Sequence, residues 1–525
     1  SWSDLEVKVK VPPGATSGPV TLTTPDGTSN GADFTVTPEI DSLDPTLGPV
    51  DTEVTVTGTT FGDTQDGSYV SFNGTQATDY TSWSDLEVKV KVPPGATSGP
   101  VTLTTPDGTS NGVDFTVTHS TWYFAEGCTA EGMETWILVE NPNTFPVNVY
   151  LSFYTAEGLF EPAALQGWEV PGEARVSFNA GAFVTSTHLS TRVSSEGGEI
   201  FCERSMYGNN RTWGHNTIGA TFPASTWYLA EGCTQGGMET WILVQNPGAD
   251  AVEVELEFQT ESGEVMGPKE TLPGHTRRSF NAGEFVQGYD VSTQVNASGE
   301  VVCERSMYGN NRTWGHNSIG TSLPAQTWYL AEGCTEGGME TFILVQNPGD
   351  EEVEVELRFH TGEGDVEGPV GTLLPHSRRS YKVNDFVTSF HVSTQVNASG
   401  EVVCERSMYG GGWTWAHNSI GASVLDDTWH LAEGCTEGGM EAFILVQNPG
   451  DDQVEVELTF KTESGEVQGP VKIIDARSRF TFNVGEFVKS YNVSTVVNAS
   501  GQVVCERAMY GGDRTWAHNS IGFAP

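Results

Sequence analysis

Basic residues are scarce in this sequence. Its 525 residues carry 25 Lys and Arg against 69 Asp and Glu, a formal net charge of −44 at pH 7. Such a surface repels nucleic acid and anionic lipid, so no nucleic-acid partner is expected. Helical periodicity is nearly absent. Short alternating runs rich in Gly, Thr, Val and Ser predict an all-β chain of several domains. No apolar run reaches the length of a membrane-spanning helix, so no membrane insertion is expected in this segment. A signal peptide is lacking too, and the first residue falls inside a repeat. The chain therefore reads as part of something longer, with any export signal or anchor outside it. There is no CxxC and no HxxxH, which argues against a structural zinc site. An enzyme is not expected.

One phrase recurs four times: Cys-Glu-Arg-(Ser/Ala)-Met-Tyr-Gly, followed by Trp-(Gly/Ala)-His-Asn-(Ser/Thr)-Ile-Gly. It begins at Cys202, Cys303, Cys404 and Cys505. Each copy follows an Ala-Glu-Gly-Cys-Thr stretch at Cys128, Cys233, Cys334 and Cys435, and these two stretches hold all 8 cysteines. The separations within each pair are 74, 70, 70 and 70 residues. An even number at near-fixed spacing predicts one disulfide per repeat in an oxidising compartment, with zinc as the rival. If the two stretches were antiparallel partners, Glu126 would oppose Arg204, and likewise Glu231–Arg305, Glu332–Arg406 and Glu433–Arg507. An ion pair is therefore expected beside each disulfide; separate solvated charges are the alternative.

Along the chain, residues 1–37 return at 82–118 with a single change, Ala32 to Val113. Leu5, Val7, Val9 and Val11 alternate with Glu6, Lys8 and Lys10, a strand of period two ended by Pro12-Pro13-Gly14. The complete unit spans about 38–118. It contains Pro45 and Gly48, Gly58 with Phe61-Gly62, Phe72-Asn73-Gly74, and the run Val-Pro-Pro-Gly-Ala-Thr-Ser-Gly-Pro-Val. This unit resembles the IPT/TIG family of immunoglobulin-like modules. The resemblance implies a β-sandwich used in extracellular bacterial proteins as a spacer or binding module, some of whose members bind DNA or glycans. Asp63 and Asp66 are the one candidate calcium site, weighed against a polar hairpin. Beyond calcium no cofactor is expected.

From residue 119 the text changes. Trp122, Trp227, Trp328 and Trp429 recur at steps of 105, 101 and 101 residues, the mark of an array of modules. The expected domains are 1–37 (the end of an IPT/TIG-like module), 38–118, and four β-sandwich repeats at 119–223, 224–324, 325–425 and 426–525. Each repeat is expected to hold seven or eight strands. In Val-Glu-Val-Glu-Leu-Glu-Phe, Glu253, Glu255 and Glu257 alternate with apolar residues, giving one buried and one wet face. Asn296-Ala297-Ser298-Gly299 predicts a hairpin. With their Trp-Tyr-Phe-Ala-Glu-Gly, Asn-Pro-Gly and Glu-Arg-Ser-Met-Tyr phrases, the repeats resemble a family found in surface and secreted proteins of bacteria such as actinobacteria and chloroflexi. That family implies no activity.

His215, His316, His417 and His518 are expected to close hydrogen-bonded turns, a catalytic role being the alternative. Trp213, Trp314, Trp415 and Trp516 are expected to pack in cores or between modules. Trp413 occurs in one repeat alone, which makes it the better surface contact. Short proline-bearing joints predict a stiff rod of immunoglobulin-like modules. The expectation is an extracellular structural protein whose partners are copies of itself, stacked head to tail in a fibre or filament. The alternative is a surface adhesin binding glycans or a partner protein; the accessory region of a secreted enzyme is a third reading.

Overall fold

A computed structural model describes residues 3–12, 15, 17–50, 52–93, 96, 98–117, 120–362 and 364–525. Within the expected Pro-Pro-Gly turns, Pro13 and Gly14, and Pro94 and Gly95 of the second copy, lie outside the described residues. Two compact units are present. One comprises residues 1–120 with 195–199, the other 121–194 with 200–525.

In the first unit, residues 38–117 build two facing sheets. One has the order Tyr80–Trp83, Glu87–Lys91, Glu53–Thr59, Glu39–Asp44; the other centres on Tyr69–Phe72, Gly99–Thr105 and Val113–Val117. Val54, Val56, Val88, Val90, Val101, Leu103 and Phe115 fill the space between them. Val88 and Val90 are buried because Val56 and Val54 lie opposite them. In the first copy of the same text Val9 and Val11 are exposed, so burial follows the sheet partner rather than the local sequence.

In the second unit each repeat is a two-sheet sandwich, and repeats two to four have seven strands each. Repeat two shows the plan. One sheet runs Ala224–Leu229, the first half of Ser292–Gly309, Val252–Thr260, Gly263–Leu272; the other runs Thr276–Asn281, Glu239–Asn246, the second half of Ser292–Gly309, Trp314–Ile319. The expected hairpin at Asn296–Gly299 is thus one continuous strand crossing from sheet to sheet. Ladder pairing wins over turn chemistry there: Val254 lies opposite Ala297, and Ser298 Oγ accepts the Glu253 N–H at 2.9 Å. The acidic strand alternates as expected, with Val254, Leu256 and Phe258 in the core. Trp227 anchors that core, its indole N–H donating to Val301 O at 2.8 Å. The equivalent bonds of Trp122, Trp328 and Trp429 run to Ile200, Val402 and Val503.

The four repeats do not form a row. Trp213–Ile218 packs on Trp314–Ile319, that strand on Trp415–Ile420, that on Trp516–Ile521, and the last returns to Trp213–Ile218. Each contact is heterologous, and the rotation closes after four steps, which makes a ring. Buried ion pairs follow the same circuit: Arg204–Glu304 at 2.6 Å, Arg305–Glu405 at 2.5 Å, Arg406–Glu506 at 2.5 Å and Arg507–Glu203 at 2.6 Å. The expected rod is therefore corrected for these repeats, because each repeat packs on two others inside the chain. The motif tryptophans lie at these joints. Trp213 meets Tyr308 edge-on at 5.5 Å, and Trp516 closes on Tyr207 at 5.6 Å.

Candidate functional site: four clefts between repeats

Every joint of the ring opens into a cleft. The Ala-Glu-Gly-Cys stretch of one repeat forms one wall, and the basic strand of the next repeat forms the other. That strand (Ala174–Asn179, Thr276–Asn281, Ser377–Lys382, Ser478–Asn483) sends a nearly buried arginine into the cleft: Arg175, Arg277, Arg378 and Arg479. A tyrosine of the recurrent phrase (Tyr207, Tyr308, Tyr409, Tyr510) and an aromatic at position 136, 241, 342 or 443 complete the wall.

The sequence places an arginine at the rim in three copies. Arg211, Arg312 and Arg514 each pair with a glutamate (Glu134, Glu239, Glu441) at 2.6 Å and lie over Tyr207, Tyr308 and Tyr510. In the cleft between repeats two and three Trp413 takes that place. Its ring stacks on Tyr409 at 4.3 Å and 18°, and its indole N–H donates to Glu340 Oε2 at 2.7 Å. The residue that meets the buried arginine also changes around the ring. Arg277 meets His188 Nδ1 at 3.0 Å, Arg378 meets Asp290, Arg479 meets His391 Nδ1 at 3.3 Å, and Arg175 meets Asn492.

No disulfide forms among the eight cysteines, which corrects the expected pairing. The partner of the strand carrying Cys202 is Glu134–Asn141, not the Ala-Glu-Gly-Cys stretch, so Val139 lies opposite Cys202. Cys202, Cys303, Cys404 and Cys505 point into the sandwich cores. Cys128, Cys233, Cys334 and Cys435 instead line the clefts. Burial pushes every one of these thiols up, which keeps them protonated and unreactive at neutral pH. All 8 thiols should therefore titrate in denaturant without prior reduction, and reductant should leave the unfolding temperature unchanged. Four thiols or fewer, or a large shift with reductant, would restore the disulfides.

The expected glutamate–arginine pairs divide two and two. Glu231 lies 3.5 Å from Arg305 and Glu332 lies 3.3 Å from Arg406. Glu126 pairs with Arg277 at 3.3 Å rather than with Arg204, and Glu433 lies 3.8 Å from Arg175 rather than beside Arg507. The closest carboxylate of each motif arginine belongs to the neighbouring repeat. Asp66 and Gly67 both adopt positive φ, and Thr64 Oγ1 donates to Asp66 Oδ2 at 2.5 Å, which is turn geometry. Among the described residues no group of three or more His, Cys, Asp or Glu around Asp63 and Asp66, or elsewhere, is arranged to hold a metal ion.

His215, His316, His417 and His518 lie buried between repeats. Each Nδ1 accepts from the motif arginine, at 3.1, 2.9, 2.9 and 3.0 Å respectively. Burial and the adjacent guanidinium hold all four well below the usual histidine range. The cleft arginines escaped the sequence reading. Their signal was present: in a chain with only 25 basic residues, one arginine recurs on the same strand of every repeat.

Residues 38–117 match the IPT/TIG domain family model, so this segment is an IPT/TIG domain preceding an array of β-sandwich repeats. No curated protein matches the chain. Among solved structures, Thermotoga maritima 1070 is 16% identical, covering 19% of this chain and 94% of its own, with a TM-score of 0.18. The Anabaena sensory rhodopsin transducer is 20% identical, covering 16% of this chain and 97% of its own, with a TM-score of 0.15. The Bacteroides ovatus mixed-linkage glucan utilization locus SGBP-B, in complex with a mixed-linkage heptasaccharide, is 10% identical, covering 53% of this chain and 85% of its own, with a TM-score of 0.13. Among the described residues no helix is long and apolar enough to cross a membrane.

Proposed function

We propose that this chain is an extracellular glycan-binding protein whose ligand sites are the inter-repeat clefts, foremost the one between repeats two and three. The observation that carries this reading is the aromatic platform there. Trp413 is 38% exposed and stacks on Tyr409, while Tyr289, 64% exposed, borders the same cleft. Below them lie Arg378, Asp290, Ser380 and Glu231. Flat apolar rings beside a few fixed donors and acceptors suit the alternating C–H faces and hydroxyl groups of a sugar. Trp413 has no counterpart in the other repeats, as expected of a specific contact rather than a packing residue.

No reaction is assigned. The motif histidines that a hydrolase would use are buried with Nδ1 occupied. A filament built through repeat-to-repeat contacts is disfavoured, because the ring already uses those faces. With the cysteines reduced, the extracellular placement rests on the IPT/TIG domain rather than on redox chemistry.

A glycan array followed by calorimetry tests the proposal. Neutral glycans should bind, and Trp413→Ala should weaken them by about 2 kcal/mol, about 30-fold. Arg312→Ala, at the equivalent position of another cleft, should leave that affinity unchanged. An array without hits, or an affinity indifferent to Trp413→Ala, would sink the proposal.

A further inference from the structure

The cleft between repeats three and four differs from the other three in charge. Arg175, Arg277 and Arg378 each donate Nε–H to the alanine carbonyl of Ala-Glu-Gly-Cys, at 3.0, 2.9 and 3.1 Å, and each has a carboxylate within 4 Å. Arg479 does neither. Its Nη1 meets His391 Nδ1 at 3.3 Å, its Nη2 donates to Thr481 Oγ1 at 2.9 Å, and its Nε has no partner among the described residues. Only two of the five donors of a guanidinium are used, on a side chain that is 5% exposed and lines an open cleft.

One residue of the recurrent phrase also differs at this joint. In the other three joints the serine of the recurrent phrase holds the cleft glutamate: Ser306 donates to Glu126, Ser407 to Glu231 and Ser205 to Glu433. The fourth copy has Ala508 there. Glu332 loses the hydroxyl and is held by Asn519 Nδ2 at 2.6 Å and by Arg406 at 3.3 Å. Among the described residues no carboxylate is in ion-pair contact with Arg479; Glu332 and Glu506 act on it only at longer range.

We propose that the cleft between repeats three and four binds a carboxylate, with Arg479 as its anchor. A buried guanidinium with unfilled donors and no carboxylate in contact recognises a planar anion by two parallel hydrogen bonds. Tyr510, Phe443 and Phe390 give the body of the ligand an apolar wall, so the class is a ring-bearing acid. A uronic acid fits, as a free sugar acid or at the end of a glycan. Burial pushes the Glu332 carboxyl up to about 7, so it neutralises Arg479 only in part at neutral pH. Burial also lowers Arg479 to about 10, which leaves it cationic there. Asp290, against Arg378, excludes the same ligand from the preceding cleft. The proposal rests on the clefts being ligand sites, but it concerns a different cleft from Trp413.

The test is calorimetry on the whole chain with D-glucuronate, D-glucose and an oligosaccharide ending in glucuronate. Glucuronate should bind at least about 10-fold more tightly than glucose. Arg479→Gln should lower its affinity by about 10- to 100-fold. Ala508→Ser, which returns a hydroxyl to Glu332, should weaken it several-fold and decides the matter if Arg479→Gln does not fold. Trp413→Ala should leave glucuronate binding unchanged, so failure of the neutral-glycan reading is seen separately. A tighter oligosaccharide assigns the site to a glycan end, and equal affinities assign it to the free acid. Glucuronate binding no tighter than glucose, or indifferent to both substitutions at 479 and 508, would overturn the proposal.

Discussion

Glu203→Ala is expected to destabilise the chain by about 3–5 kcal/mol, the cost of leaving a buried partner charge unpaired. Glu203 belongs to the first repeat and Arg507 to the fourth, yet their side chains meet at 2.6 Å with 0% exposure on either side. In an open row these two groups would sit at opposite ends in solvent, and such a surface substitution changes stability by about 0.5 kcal/mol or less. Glu304→Ala, within the array, should cost about as much as Glu203→Ala. Replacing Arg507 and Glu203 together by apolar residues of similar size should restore much of the loss, because a buried pair adds little net stability. Chemical denaturation of the three variants separates a ring from a row: equal large costs mark closure, and a near-zero cost at Glu203 alone denies it.

Acid should unfold the array steeply. His215, His316, His417 and His518 are held well below their ordinary range, by burial first and then by Arg204, Arg305, Arg406 and Arg507. The unfolded chain takes up protons on these histidines below about pH 6.5 while the folded chain does not, so stability is lost as pH falls. Each histidine contributes about 1.4 kcal/mol per pH unit, about 5 kcal/mol per unit for the four together. Glu332, pushed up to about 7, acts the other way: its folded form keeps a proton that the unfolded form releases above about pH 4.5, so it costs stability as pH rises. Glu126 and Glu203 are raised as well, again chiefly by burial. The histidines outnumber these carboxyls, so the net slope remains positive down to about pH 4.5 and steepens below it. Urea unfolding across pH 4–7 should show this slope, reduced by about one proton in His417→Asn. A flat profile would contradict the burial of the histidines.

Much of the fold was legible in the sequence. Alternation marked the acidic strands, the tryptophan steps marked the repeats, and the Pro45 to Phe72 text marked the IPT/TIG domain. The cysteine pairing misled because equal spacing recurs in any array of equal repeats, whether or not the two sulfurs meet. Here one cysteine of each pair behaves as a small core hydrophobe. Closure was half legible. Glu203 and Arg204 are adjacent on one strand and so face opposite sides, which lets each reach only a different neighbour. That pattern implies a directional chain of contacts. Whether the chain closes depends on a rotation per step that no residue type encodes. The clefts were the least legible part, because their differences reside in single positions such as Asp290, Trp413 and Ala508, whose neighbours come from another repeat.

Cross-linking across the closing joint tests the ring most directly. Ser177 Oγ of the first repeat donates to Asn492 Oδ1 of the fourth at 2.6 Å, although 315 residues separate them. A Ser177→Cys, Asn492→Cys chain should form an intramolecular disulfide under mild oxidation, or accept a short bis-thiol linker, and migrate as a compact monomer on a non-reducing gel. Either single variant should not. A double variant that stays uncross-linked, or links only between chains, would contradict the closed ring and the four clefts it creates.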